Sequence, residues 1–130
     1  MFKTKSISSP IEQRQDGLRI LVARFRGRGV PKNRYDLWMP NLGPSEKLLK
    51  RFLSGEIPWD RYSKSYQEEL FLDGGVDADN RLIKNHGQKF TLRLLKRLAE
   101  KQSITLLCHC AEEEQHCHRH VLRALISRMK

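Results

Sequence analysis

The sequence predicts a single α/β domain over residues 1–130, in which a small, mostly parallel sheet is flanked by helices in a Rossmann-like layering. Short apolar runs of strand length, Leu18–Ala23 and Ser103–Leu107, alternate with longer segments whose apolar residues recur every three or four positions. Helices that lie between apolar strands in the chain are typical of parallel sheets. A chain of 130 residues is long enough to bury a core without disulfides.

Turn and capping residues divide the chain into these elements. Ser45 is expected to cap one helix, Pro58 begins the next, and the aromatic residues Trp59, Tyr62 and Tyr66 recur at helical spacing and are expected to face the core. The predicted elements in chain order are a weak strand at 4–8, a strand at 18–23, a short aromatic segment at 35–39, helices after residues 45 and 58, loops at 71–79 and 85–87, a helix from 90 to about 101, a strand at 103–107 and a helix at 118–129.

Composition excludes several classes of protein. No apolar run approaches the roughly 20 residues of a membrane helix, and residues 1–10 lack the apolar core of a signal peptide. The three cysteines lie between Cys108 and Cys117, and an odd, crowded set of this kind argues against paired disulfides. We therefore expect a cytoplasmic protein with reduced thiols and no membrane association.

A basic loop follows the strand at 18–23. Arg24, Arg26, Arg28, Lys32 and Arg34 occur without an intervening acid in a chain of net charge +10. Two glycines separate these arginines, so the loop is expected to follow a phosphate backbone or enclose one anion. The alternative is a basic surface that only promotes solubility, because no recognised nucleic-acid module accompanies the charge.

The segment 108–120 contains all three cysteines and four of the five histidines. Thiolates and imidazoles are the ligands that zinc prefers, which makes zinc the possible cofactor. The candidate ligands are Cys108, Cys110, Cys117 and one histidine, with His116 the first choice among His109, His116, His118 and His120. The spacing matches no strong zinc motif, and Cys108 alone is also well explained as a small apolar residue at the end of a strand.

A second interpretation of the same segment is an anion- or nucleotide-binding site. A helix that begins near Cys117 places free backbone N–H groups at its positive end, and Arg119 offers a fork of donors to phosphate or carboxylate. Cys117 beside His118 is a candidate nucleophile with a candidate base. The cysteine-to-arginine spacing differs from that of cysteine phosphatases and rhodaneses, so whether the protein is an enzyme stays open.

Four short motifs follow one another along the chain. They are Val22-Ala23-Arg24, Leu42-Gly43-Pro44-Ser45, Trp59-Asp60-Arg61-Tyr62 with Tyr66 and Glu69-Leu70, and Leu106-Leu107-Cys108 with Cys117-His118-Arg119. In this order and spacing the chain resembles the small α/β family catalogued as domain of unknown function 488. The resemblance covers nearly the whole chain.

The resemblance implies an α/β fold and a shared site, but no particular activity. The site residues it suggests are Arg24, Cys108, Cys117, His118 and Arg119. Cys110 departs from the family pattern, which favours a shared polar or nucleotide-like pocket with metal binding as an addition in this chain.

The carboxyl ends of parallel strands are where such sheets bind ligands. The basic loop and the cysteine loop both follow predicted strands, so we expect them at the same edge of the sheet. The leading prediction is an anion- or nucleotide-binding pocket there, with a nucleotide, phosphate or nucleic acid as partner. The alternatives are a zinc-binding domain and a nucleic-acid-associated basic module without enzymatic activity.

Overall fold

Four parallel strands form the sheet of this protein in a computed structural model, which describes residues 1–72 and 88–129. The strand order is β1-β4-β2-β3, and β4 is hydrogen-bonded on both sides and buried throughout. A strand in that position needs apolar residues on both faces, which explains its continuous Ile-Thr-Leu-Leu-Cys sequence. The strands are β1 (Phe2–Ser6), β2 (Leu18–Leu21), β3 (Leu37–Trp38) and β4 (Ile104–Cys108).

Five helices accompany the sheet in the described residues, which confirms the predicted α/β fold. Within these ranges no helix is long and apolar enough to cross a membrane. The predicted break at 85–87 lies outside the described residues, as does all of the predicted 71–79 loop except its first two residues. The helices are α1 (Gln13–Asp16), α2 (Glu46–Leu53), α3 (Trp59–Phe71), α4 (Lys89–Ala99) and α5 (His118–Arg128).

The core lies on both faces of the sheet. Ile20 and Val22 of the β2 segment belong to one apolar cluster, while Leu21 and Ala23 belong to another, as expected from side chains that alternate along a strand. The buried apolar side chains of α2, α3, α4 and α5 all join the first cluster. The second cluster also contains Leu107, Cys108 and Cys117.

The start of α2 is fixed by Ser45 and Glu69. The Ser45 hydroxyl accepts a hydrogen bond from the Leu48 N–H at 3.3 Å, which confirms the predicted cap. The Glu69 carboxylate on α3 accepts hydrogen bonds from both the N–H and the hydroxyl of Ser45. Tyr66 lies one helical turn before Glu69 on α3, and it donates its hydroxyl hydrogen to the Leu42 carbonyl. These bonds hold the α2–α3 pair against the end of β2.

The short helix α1 places a buried carboxylate beneath the sheet. Asp16 is fully buried, and its side chain contacts Lys5 of β1 at 2.8 Å and Arg19 of β2. The Glu12 N–H donates to the same carboxylate at 3.0 Å, and Thr105 of β4 donates its hydroxyl to the Asp16 carbonyl at 2.7 Å. One acidic residue therefore joins β1, β4 and β2, three neighbouring strands of the sheet.

Gly17, which ends α1, occupies a position that no other residue fits. Its φ is +63°, and a Cβ at this position would lie 2.0 Å from the Ser103 carbonyl oxygen. We expect Gly17→Ala to destabilise the protein by about 1–3 kcal/mol from backbone strain, with a further loss from the clash. Gly29 is a matched control, because its φ is +75° and a Cβ there would meet no atom of the described residues within 4 Å beyond its chain neighbours. Equal melting temperatures for Gly17→Ala and Gly29→Ala would contradict this explanation.

A candidate metal centre at the carboxyl edge of the sheet

Three metal-ligating side chains meet where β4 ends and α5 begins. Cys108 is the last residue of β4, Cys117 precedes the first turn of α5, and His118 is the first residue of that helix. One sulfur or nitrogen atom from each lies within 4.8 Å of the other two. All three residues are buried, with exposed fractions of 5, 2 and 4% respectively. These three residues are therefore close enough together to hold a metal ion.

The imidazole of His118 is held in the form that binds metals. Its Nε2 lies 2.8 Å from the Val22 carbonyl oxygen, which can only accept, so Nε2 carries the hydrogen. Its Nδ1 faces the Cys108 sulfur at 4.0 Å and keeps its lone pair. Burial lowers the pKa of His118, which keeps the ring neutral even though the Val22 carbonyl acts in the opposite direction. A backbone carbonyl on the far nitrogen is the usual partner of a metal-binding histidine.

Cys110 lies beside the first two cysteines. Hydrogen bonds from the thiols of Cys110 and Cys117, together with the N–H groups of Cys110 and His109, hold the pKa of Cys108 well below its usual range, although burial opposes this. The pKa values of Cys110 and Cys117 are raised because each donates to Cys108. The three thiols therefore form one interacting group beside His118.

Arg119 lies behind the cysteine loop. Its side chain is fully buried, and its guanidinium donates to the carbonyl oxygens of Cys110 at 3.3 Å, Ala111 at 3.0 Å and Glu112 at 3.2 Å. Its Nε has no hydrogen-bond partner among the described residues. The contacts of Arg119 are those of a residue that shapes the loop, and they place its guanidinium against backbone carbonyls.

A cavity of about 520 Å³ opens in front of the three thiols. One wall is aromatic, because Phe52 stacks on Tyr62 with ring centroids 4.3 Å apart. His116 also lines the cavity, and its ring stacks on that of Trp59 at 4.8 Å. Burial, together with the neighbouring thiols, raises the pKa of Tyr62, so its hydroxyl stays protonated. The residues that line the cavity are Ala23, Arg24, Phe25, Pro44, Leu49, Phe52, Leu53, Tyr62, Cys108, His109, Cys110, Glu114, His116, Cys117 and His118.

The basic loop lies at the same edge of the sheet as the cysteine loop, as the sequence predicts. The reason is that β2 and β4, which the two loops follow, are parallel neighbours. Arg24 lines the cavity and donates to the Pro40 carbonyl at 3.5 Å. Arg26 lies over the ring of Tyr35 and donates to its hydroxyl. His109 joins the two loops through a 2.9 Å contact between its Nε2 and the Phe25 carbonyl oxygen. The two segments therefore form one continuous rim.

Most of the residues singled out in the sequence meet around this cavity. Cys108, Cys117 and His118 converge, Cys110 lines the same cavity, and the ring of His116 stacks on Trp59. Sequence reasoning did not find the carbonyl of Val22 or the cavity-facing ring of Tyr62. Every residue has a backbone carbonyl, so the residue types do not show which carbonyl accepts a hydrogen bond. Tyr62 follows the same helical spacing as residues that only fill the core.

Fold and site together define a small α/β protein with a Cys/His cluster at the carboxyl edge of a parallel sheet. The family model described as "DUF488-N3a: Active DUF488-N3 subclade" matches residues 2–130. The chain belongs to this family, a subclade of the domain of unknown function 488 that its sequence resembles. No curated protein and no solved structure matched the chain.

Proposed function

We propose that this protein is a metal-binding protein whose Cys/His cluster holds one zinc ion. The observation that carries the proposal is the convergence of Cys108, Cys117 and His118 within 4.8 Å, with Nδ1 of His118 unprotonated. We assign Cys110 as the fourth donor, because it lines the same cavity as these three residues. Three reduced cysteines of this kind also support a cytoplasmic location, because such thiols persist in reducing compartments.

The chemistry of the donors favours zinc over a hard cation. Thiolate and imidazole are ligands for zinc and other soft or borderline metals, whereas Mg²⁺ and Ca²⁺ take oxygen donors. Backbone N–H groups from His109 and Cys110 point at the Cys108 sulfur and stabilise its negative charge. The side chain of Glu112 is directed to Ser6 and Ser9 rather than to the cluster.

Metal analysis of untagged protein, purified without chelator, tests the proposal. We expect about one zinc ion per chain in the wild type, and loss of the metal in Cys117→Ser and His118→Gln, because a tetrahedral site tolerates few missing ligands. His116→Ala is the matched control, since its ring stacks on Trp59 outside the cluster. Zinc should also protect the three thiols from iodoacetamide, which mass spectrometry measures independently. Wild-type protein that has no metal and gains none from added zinc would overturn the proposal.

A second candidate function is binding of a nucleotide, phosphate or nucleic acid at the same edge. The specific observation in its favour is Arg24 in the wall of a cavity that also has stacked aromatic rings. Cys117 and His118 at the start of α5 are the candidate nucleophile and base of a reactive centre there. On this hypothesis Arg24 holds the anion, because Arg119 is not among the residues that line the cavity and donates to loop carbonyls instead.

Thermal shift measurements with phosphate, nucleotides and a single-stranded oligonucleotide test this candidate. We expect stabilisation by a nucleotide that is lost in Arg24→Gln and kept in Arg123→Gln, an exposed position on α5. If the oligonucleotide binds instead, its affinity should fall with salt at a log–log slope of about −0.7 per phosphate contacted. If phosphate, nucleotides and the oligonucleotide all leave the melting temperature unchanged, this candidate function is contradicted.

A further inference from the structure

The four donors of the proposed metal centre are not equally fixed. Three of them, Cys108, Cys117 and His118, lie at the end of a strand and the start of a helix. They are at most 5% exposed, and their ligand atoms lie within 4.8 Å of one another. Cys110 is only half-buried and precedes the exposed segment 111–116. Three donors are therefore buried at the ends of regular elements, whereas the fourth belongs to a loop.

All four donors also face the same cavity. A structural zinc site is normally closed by four protein ligands inside the fold, while a catalytic site keeps one position for water or substrate. Here a cavity of about 520 Å³ reaches the sulfur atoms from one side. Its volume lies within the range of small-molecule pockets, roughly 300–1,000 Å³.

We propose that the metal keeps an exchangeable fourth position toward the cavity, at which Cys110 is displaced by a small organic molecule. This inference rests on the proposed function. The incoming ligand has a flat aromatic body and one nitrogen, oxygen or sulfur donor. Its donor atom takes the place of the Cys110 sulfur, so the metal keeps four ligands throughout the exchange.

The residues that line the cavity favour a ligand with a flat, apolar ring. Leu49, Phe52 and Phe25 supply apolar surface, and the ring of Tyr62 lies parallel to that of Phe52 within about 20°. Aromatic faces favour a further offset-stacked ring. A flat ligand inserted between this wall and the basic loop would therefore point its donor at the metal.

Cobalt-substituted protein gives a direct readout of this position. Co²⁺ bound by thiolates absorbs in the visible region, and the band positions change when a ligand exchanges. We expect saturable spectral changes with 4-phenylimidazole at concentrations about tenfold below those needed with imidazole, which lacks the ring that the cavity would hold. Leu49→Trp should weaken 4-phenylimidazole about tenfold without losing cobalt, whereas Leu94→Trp, an exposed position on α4, should have no effect.

Cys110→Ser separates the two proposals. We expect this variant to retain cobalt and to bind 4-phenylimidazole at least as well as the wild type does. A cobalt spectrum that no imidazole changes, together with loss of cobalt in Cys110→Ser, would show a closed four-ligand site and overturn the inference while the proposed function stands. Failure of the wild type to bind cobalt or zinc would overturn both.

Discussion

Asp16→Asn is expected to lower the free energy of unfolding by about 3 kcal/mol at neutral pH, because removing one partner of a buried ion pair leaves the other uncompensated. Asn has nearly the same shape as Asp, so the loss reports charge rather than packing. Lys5 and Arg19 would remain, with side chains only 13 and 5% exposed, beside a neutral amide. Chemical denaturation at fixed ionic strength measures the difference.

The loss should depend on pH in a defined direction. Burial raises the pKa of Asp16, but the hydrogen bond from Lys5, the Glu12 N–H and the charges of Lys5 and Arg19 together lower it below its usual value. A carboxyl group with a lowered pKa stabilises the fold above its unfolded pKa of about 4 and loses that contribution as the pH falls. The gap between the wild type and Asp16→Asn should therefore be largest near pH 7 and shrink below pH 4.

Glu113→Gln is the control for a general charge effect, since it removes one negative charge from an exposed position. It should leave the free energy of unfolding within about 0.5 kcal/mol of the wild type. A deficit in Asp16→Asn that stays constant down to acid pH would mean that the carboxylate charge contributes nothing to stability.

The fold was largely predictable because its signals are local. The apolar run of β4 and the cap at Ser45 are each encoded in a few neighbouring residues, and both appear as expected. Asp16 was not predictable as a buried group. Its partner Lys5 lies on β1 and Arg19 on β2, and only the parallel pairing of both strands with β4 brings their charges together.

The site was predictable as a set of residues but not as a geometry. Crowding of cysteine and histidine indicated a metal or anion site, and Cys108, Cys117 and His118 do converge. Which histidine joins the thiols depends on the Val22 carbonyl, 96 positions away in the chain. His116 has the same chemistry and is one residue from Cys117, yet it stacks on Trp59.

Arg119→Met is expected to have the other large effect, on stability and on the metal together. Methionine fills much of the same volume but donates nothing, so three loop carbonyls lose their partner. Because hydrogen bonds to charged groups each contribute about 1.5–3 kcal/mol, we expect the loss of three such bonds to cost at least about 3 kcal/mol in total. The carbonyl of Cys110 is among the three, so zinc affinity should fall by about 10- to 100-fold, as for other residues that position metal ligands.

Arg123→Met is the matched control, because this arginine is exposed on the same helix. The comparison also separates two roles for Arg119. If the guanidinium positions the loop, Arg119→Met lowers the melting temperature of ligand-free protein and weakens zinc binding in a competition titration. If it instead binds an anion, as the sequence predicts, the ligand-free protein keeps its melting temperature and only the stabilisation by phosphate or nucleotide disappears. The observed hydrogen bonds, all to backbone carbonyls of one loop, favour the first outcome, as does the Glu112 carboxylate of the same loop, 3.9 Å from the guanidinium.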